Sequence, residues 1–201
     1  NNGLIPYDGY FRYTDLGASE ETTWSIDPLL RYSDGSTSIL SDGSAGGFSS
    51  PIDLGGGLVK STATLPSMKV SAVTELIGSN AKTTFTFTDL SNLGLDGTHF
   101  VFYAENDLFS ADDSAAFTGS IAGNNLSLFM YDSFAGGLSV KLTGVAGTGA
   151  TLDLFGAGTW TGWGSALEGG DLSVLSADGS NFATLGDLGL ALGFSLSGET
   201  A

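Results

Sequence analysis

The 201-residue sequence contains no cysteine, one histidine, four prolines and only six basic residues. Without cysteine the chain has no disulfides, thiol nucleophiles or thiolate metal ligands. The basic residues form no run in the sequence that would neutralise a phosphate backbone or an anionic lipid leaflet. No apolar run approaches the ~18 residues of a membrane-spanning helix. We therefore expect neither nucleic-acid binding nor membrane insertion.

Motifs of the common enzyme classes are also missing, because the sequence has no G-x-S-x-G, no P-loop and no G-x-G-x-x-G. A Ser-His-Asp site would have to use His99, which we expect to be a surface or edge histidine beside Val101 and Tyr103. Glycoside hydrolysis needs only two carboxyl groups, but no motif nominates a pair among the 22 acidic residues. We therefore predict that the protein is not an enzyme and has no catalytic residues.

Apolar residues at alternate positions are the main signal that the sequence does contain. Apolar residues make up 41% of the chain, and many of its 31 glycines lie in turn signals such as Asp34-Gly35, Asp96-Gly97 and Asp178-Gly179. This pattern predicts one all-β domain over 1–201, an antiparallel, jelly-roll-like β-sandwich with a barrel as the alternative. Composition assigns 41–57 to a long Gly/Ser-rich loop. Strands are predicted at 10–13, 36–40, 58–65, 68–76, 84–88, 99–104, 126–131, 138–145, 151–155, 172–175 and 188–196.

Acidic residues are densest between positions 105 and 113. Calcium prefers six to eight oxygen ligands, and a loop of this composition offers several of them. The spacing is not that of an EF-hand, so a polar loop between strands, closed by Asx turns, is the alternative. The candidate calcium ligands are Glu105, Asp107, Asp112 and Asp113.

Tryptophans suggest a second kind of site, because an exposed indole ring packs well against the C–H groups of a sugar. Trp160 and Trp163 are three residues apart and would point to opposite faces of a regular strand. One of them is then expected in the core and the other at the surface. Trp160 and Trp163 are the candidate carbohydrate-binding residues, with ordinary packing as the alternative.

The segment 188–196 alternates large apolar and small residues without interruption. Such a strand must bury one face, either in the chain's own sandwich or in a sheet shared with a neighbouring subunit. The second alternative makes this segment a candidate assembly strand. Its large residues are Leu188, Leu190, Leu192, Phe194 and Leu196, and its small residues are Gly189, Ala191, Gly193 and Ser195.

Between about residue 82 and residue 201 the chain has, in order, the strand 84–88, Phe102-Tyr103 followed by Asp107-Leu108 and Asp112-Asp113, the segment 126–132, and 192–196 followed by Gly198-Glu199-Thr200. This order of features resembles secreted bacterial β-sandwich proteins of the PEP-CTERM type. This resemblance implies export and a role at the cell surface or in the matrix, and it implies no catalytic residues. The Pro-Glu-Pro sorting signal, its apolar helix and its basic end are missing, so either processing removed them or the resemblance concerns the sandwich alone.

These observations predict an extracellular or cell-surface structural protein, a self-assembling, filament-type subunit of a bacterial biofilm matrix. Its expected partners are copies of itself or matrix polysaccharide. Because the net charge is −16, copies repel one another, and calcium ions that bridge acidic residues would relieve that repulsion. The alternative function is a carbohydrate-binding β-sandwich module, and a glycan-active enzyme with two carboxylates is a third hypothesis.

Overall fold

Three antiparallel sheets make up the computed structural model, which describes residues 10–13, 22–40, 47–78, 80–107, 113–123, 125–132, 139–186 and 188–201. Sheet A contains β1 (Tyr10–Tyr13), β2 (Thr22–Arg31), β3 (Thr37–Ile39), β8 (Thr98–Asp107), β12 (Ala150–Thr159) and β14 (Leu188–Leu196). Sheet B contains β4 (Ile52–Gly55), β5 (Leu58–Thr64), β6 (Met68–Ile77) and β7 (Asn80–Asp89). Sheet C contains β9 (Asp113–Ser120), β10 (Asn125–Asp132), β11 (Ser139–Gly144) and β13 (Leu185–Gly186).

Strand order places the last strand of the chain in the middle of sheet A. The order there is β1-β2-β8-β14-β12, with β3 also paired to β2. Sheets B and C run β4-β5-β6-β7 and β11-β10-β9-β13. In the described residues, no helix is long and apolar enough to cross a membrane.

Sheets B and C lie side by side on one face of sheet A, which we call its inner face. The large residues of β14 supply both contacts: Leu188 packs against sheet C, whereas Leu196 packs against sheet B. Phe194 lies between the two clusters and contacts both of them. The prediction of an all-β antiparallel sandwich is therefore confirmed. A jelly roll has two sheets, whereas here the second layer is divided into two.

A helical segment covers the other, outer face of sheet A. It begins with a wide turn at Trp160–Gly164, continues into the short helix α1 (Ser165–Glu168) and ends in a 3-10 turn at Leu172–Val174. Leu167 and Leu175 from this segment are buried against Val101, Tyr103 and Ala191 of the sheet. Sheet A is therefore buried on both faces over much of its area.

The predicted strand at 172–175 is wrong, because those residues form the 3-10 turn of the covering segment. Their apolar side chains face the sheet although their backbone is not part of it, so alternation alone did not distinguish a strand from this turn. The predicted loop 41–57 contains strand β4 at Ile52–Gly55, and residues 41–46 lie outside the described part of the chain.

Strand β2 was not predicted, because Pro28 lies inside it. Proline has no N–H and is excluded from most ladder positions. Here β1 pairs with residues 22–25 and β3 with residues 29–31 of β2 on the same side, and Pro28 lies in the gap between them. Its carbonyl accepts from Leu40 N on that side at 2.8 Å, so the missing N–H leaves no ladder partner unpaired.

Close approach of the helical segment to sheet A depends on glycine. A Cβ at Gly158 would overlap the indole ring of Trp163, and a Cβ at Gly189 would overlap the ring of Tyr103. Trp163 is held in this position because its Nε1 donates to Val174 O at 3.0 Å. The small residues of β12 and β14 therefore make room for two aromatic rings.

We predict that Gly158→Ala lowers the free energy of unfolding by about 1–3 kcal/mol, the usual effect of overpacking. The matched control is Gly147→Ala, because nothing lies within 4 Å of a Cβ at that position. The control should change stability by less than about 0.5 kcal/mol. Denaturant titration of both variants measures the difference, and equal effects would contradict the close packing of Trp163.

Candidate functional site

Strand β7 is the last strand of sheet B, and part of its outer edge is open. In the described residues, no strand pairs with 80–86 on that side. Further along, Phe87 N donates to Ala201 O at 2.7 Å and Ala201 N donates to Phe87 O at 3.1 Å. Because successive residues of an antiparallel strand direct their N–H and C=O to alternate sides, Ala81, Thr83 and Phe85 also present theirs outwards. The edge therefore offers backbone groups for another strand.

The end of sheet B next to this edge projects beyond the layer on which the sheet packs. Leu76 belongs to the same face of β6 as the buried Met68 and Val70, but its side chain is 44% exposed. Ile77, at the end of β6 that pairs with the start of β7, is 51% exposed. An open edge flanked by exposed apolar side chains is a typical site of association between chains.

Sheet B also gathers three of the chain's four lysines on one face. In the strand register, Lys60 lies opposite Val73, Lys69 opposite Thr64 and Thr88, and Lys82 opposite Glu75. All three are on the face of sheet B directed away from sheet A, because Ala63, Val70 and Phe87 occupy the other face. These lysines are far apart in the sequence, so only the pairing register brings them together.

The charges of strands β4–β7 balance. Their three lysines are matched by three acidic residues, Asp53, Glu75 and Asp89. Sheet B is therefore neutral over its strands, in a chain whose net charge is −16. Two copies that approach through sheet B meet less electrostatic repulsion than two copies that approach through an acidic surface.

The predicted assembly strand is β14, and the structure places it between two partners of its own chain. Its residues pair with β8 on one side and with β12 on the other. Leu188, Leu190, Leu192 and Leu196 are buried on the inner face, and Phe194 is partly buried there. With both edges occupied, β14 offers no edge to a second chain in this fold, so an assembly by strand pairing needs another strand.

Of the two predicted carbohydrate-binding tryptophans, Trp163 is half-buried in the covering segment. Its ring packs edge-on against Tyr103 at a centroid distance of 5.6 Å, and its N–H is bonded to Val174. The indole of Trp163 is therefore engaged in packing within the protein. The side chain of Trp160 lies outside the described part of the structure.

The candidate calcium ligands fall on residues whose side chains the structure does not describe. Glu105 and Asp107 lie at the end of β8 and Asp113 at the start of β9, whereas Asp112 lies outside the described residues altogether. Among the side chains that are described, no group of three or more His, Asp or Glu could hold a metal ion. The calcium site stays a prediction.

His99 lies on an inner strand of sheet A and not at an edge, and its side chain is on the outer face that it was expected to share with Val101 and Tyr103. Its side chain is 25% exposed on the outer face, and Nε2 lies 3.6 Å from Asp153 Oδ2. Arg31 is its neighbour across the β2–β8 pair, as Ser195 is across β8–β14. Asp153 reaches this position because the register of β12 shifts between Leu152 and Leu154.

The His99 cluster contains buried polar atoms that lack a hydrogen-bond partner, namely Arg31 Nε, His99 Nδ1 and Asp153 Oδ1. The imidazole is near a carboxylate, as it would be in a catalytic triad. The 3.6 Å between Nε2 and Oδ2 is longer than the usual N–H···O distance. The imidazole and the carboxylate are therefore in contact, without a well-formed hydrogen bond between them.

Two aromatic side chains that sequence analysis did not single out lie on the outer face of sheet C. Phe129 and Tyr131 alternate with the buried Leu128 and Met130 on β10, so they point away from the core. Their rings are nearly parallel, with an interplanar angle of 7° and a centroid distance of 6.3 Å. Lys141 Nζ lies 5.5 Å from the centroid of Phe129. A signal for them was present in the sequence: the even-numbered residues of this strand are apolar and expected in the core, so its odd-numbered residues are expected to face outwards.

Several acidic residues close turns through a recurring Asp-x-Ser pattern. In three of these turns the serine two residues after the aspartate donates its hydroxyl at 2.6 Å and its amide at 2.8–3.0 Å to the carboxylate. The hydroxyl bond is the main cause that lowers the pKa of the three carboxyls. At Asp178 the pKa is also lowered, mainly by the amide of Ser180. The three turns are at Asp34, Asp89 and Asp171.

Comparison of the chain with protein-family models, with curated proteins and with solved structures finds no match.

We predict that Asp89→Asn lowers stability at pH 7 and weakens its dependence on pH under acid conditions. Asp89 accepts from Ser91 and also from Gly94 N at 2.8 Å, which closes the turn 89–94. A pKa lowered by folding stabilises the protein fully above the unfolded-state value of about 3.9, and this stabilisation is lost as the pH falls through the folded-state pKa.

Urea titrations between about pH 7 and pH 2 measure this effect, because the carboxyl group of the unfolded chain takes up its proton within that range. Ser91→Ala removes the largest cause of the lowered pKa and should change the pH dependence in the same direction. Parallel curves for wild type and Asp89→Asn would contradict the role of this carboxylate.

Proposed function

We propose that this protein is a non-enzymatic structural subunit of an extracellular or cell-surface matrix, and that its copies join by β-strand pairing at the open edge of β7. One observation carries the proposal: Ala81, Thr83 and Phe85 direct backbone groups outwards that no strand among the described residues pairs with, whereas residues 87–89 of the same edge already accept a strand, 199–201. An edge that pairs with one extended segment has the geometry to pair with another.

Sequence and charge support the same edge. The strand Asn80–Asp89 alternates threonine and phenylalanine over much of its length and contains no proline, a composition with high strand propensity. Exposed Leu76 and Ile77 adjoin it, and the neutral strands of sheet B limit repulsion between copies. The resemblance to PEP-CTERM proteins supports the extracellular setting.

We predict that Ala81→Pro abolishes self-association and leaves the fold intact. The N–H of Ala81 points to the open side of β7 and its side chain is exposed. Proline at such an edge position removes a donor that an incoming strand would use, without breaking the ladder to β6. The matched control Ala81→Ser keeps the N–H and should associate like the wild type.

Sedimentation velocity over a range of protein concentrations measures association, and circular dichroism with a thermal melt checks the fold. Wild-type protein that stays monomeric at every concentration would contradict the proposed function. Folded Ala81→Pro that associates as strongly as the wild type would show that copies join elsewhere.

A second candidate function, carbohydrate binding, is favoured by the pair Phe129 and Tyr131. Sugar rings pack on aromatic faces, and two nearly parallel rings 6.3 Å apart offer neighbouring contacts for a polysaccharide. Lys141 Nζ is close enough to donate to a hydroxyl or carboxylate of the same glycan. This function would use sheet C and would leave the edge of β7 free for assembly.

For this second function we predict that Tyr131→Ala loses retention on glycan affinity gels, whereas Tyr131→Phe keeps its ring and keeps most of the retention. Tyr131 is 43% exposed, so neither change should affect folding strongly. If the wild-type protein migrates without retardation on a panel of neutral and acidic polysaccharides, carbohydrate binding is contradicted.

A further inference from the structure

We infer that the partner at the β7 edge is a second copy of the same strand, paired antiparallel about a two-fold axis at Thr83. This inference rests on the proposed function and specifies its geometry. The open segment runs from residue 80 to residue 86, because pairing with 199–201 closes the edge from Phe87 onwards. Its central residue is Thr83.

The direction of the backbone groups makes this symmetric register possible. Phe87 directs both its N–H and its C=O outwards, so the odd-numbered residues before it do the same. In an antiparallel pair the residues that exchange two hydrogen bonds lie directly opposite each other. Centring on Thr83 pairs it with Thr83 of the second copy and pairs Ala81 with Phe85 of the second copy, in both directions. Every outward group between 81 and 85 then has a partner.

Side chains on both faces are compatible with this register. On one face Thr83 already shares a hydroxyl contact with Thr74 at 2.9 Å, so a row of four threonines would cross the joint. On the other face Lys82 would lie opposite Thr84 of the second copy. Like charges directly opposite each other would destabilise the pair, and this register does not place two lysines opposite each other. The large Phe85 meets the small Ala81.

Space is available at this end of the sheet. Ala81 and Leu76 lie on the face of sheet B that turns towards sheet A, but both are exposed there. The body of the molecule therefore leaves the Ala81 end of the joint open on that side, whereas at the other end Phe85 packs against Phe48, Phe100 and Phe102. Pairing would produce a continuous eight-stranded sheet from the two four-stranded sheets B, and it would bring Leu76 close to the Phe85 ring of the second copy.

Cysteine crosslinking tests the register, because the chain has no cysteine of its own. Lys82 and Thr84 are exposed and would face each other across the joint, at the ~4.5 Å Cα separation of a non-hydrogen-bonded pair. Lys82→Cys and Thr84→Cys are prepared as separate full-length proteins, one with a mass tag, and are oxidised singly and as a mixture. Ala116→Cys, on an exposed position of β9, reports random collisions.

The expected result is a crosslinked dimer that contains one chain of each variant in the mixture, with none in either single sample. Identical positions would be diagonal neighbours at ~7–8 Å, beyond the ~7 Å Cα limit for a disulfide. Efficient crosslinking of Lys82→Cys with itself would overturn the register, and so would the absence of crosslinks in the mixture while the wild type associates. A wild type that stays monomeric in sedimentation velocity overturns the proposed function as well.

Discussion

Strand β14 places its large side chains on one face of sheet A and its small side chains on the other. The packing of the layers on both sides of sheet A depends on this separation. Its large residues fill the space between sheet A and sheets B and C, and Phe194 contacts the cores under both. Its small residues leave room on the outer face, where Tyr103 lies over Gly189 and Leu154 approaches Gly193. A Cβ at either glycine would collide first with a side chain of sheet A, Tyr103 or Leu154, and both of these pack in the cluster beneath the covering segment.

Alternation predicted most of the strands, because a strand with one buried face has a period of two residues regardless of its neighbours. It missed β2, where a gap between two partners tolerates Pro28. It also wrongly assigned a strand to 172–175, whose apolar residues pack on a sheet from outside. Nor did it predict which edge stays open. The regular pattern of residues 188–196 indicated a buried face but carried no information on whether the strand has one neighbour or two.

The distribution of charge over the sheets also depends on strand register, which the sequence does not reveal. In the sequence Lys60, Lys69 and Lys82 look isolated, and the net charge of −16 suggests a uniformly acidic surface. Strand register collects these lysines on one face of sheet B and balances them with acidic residues of the same sheet. Other acidic residues, in the Asp-x-Ser turns, hold backbone amides. Some of the acidic residues therefore close turns, while the strands of sheet B carry no net charge.

The central position of β14 also determines when the chain is able to fold. Strands β8 and β12 are neighbours of β14 but not of each other, so sheet A has a gap until residues 188–196 have left the ribosome. Residues 199–201 then fasten the end of β7, more than a hundred positions earlier in the chain. Contacts of such long range slow folding, because chain entropy is lost before the contacts form. Sheet A therefore cannot be completed before residue 196 is available, and until then the edges of β8 and β12 that pair with β14 lack their partner.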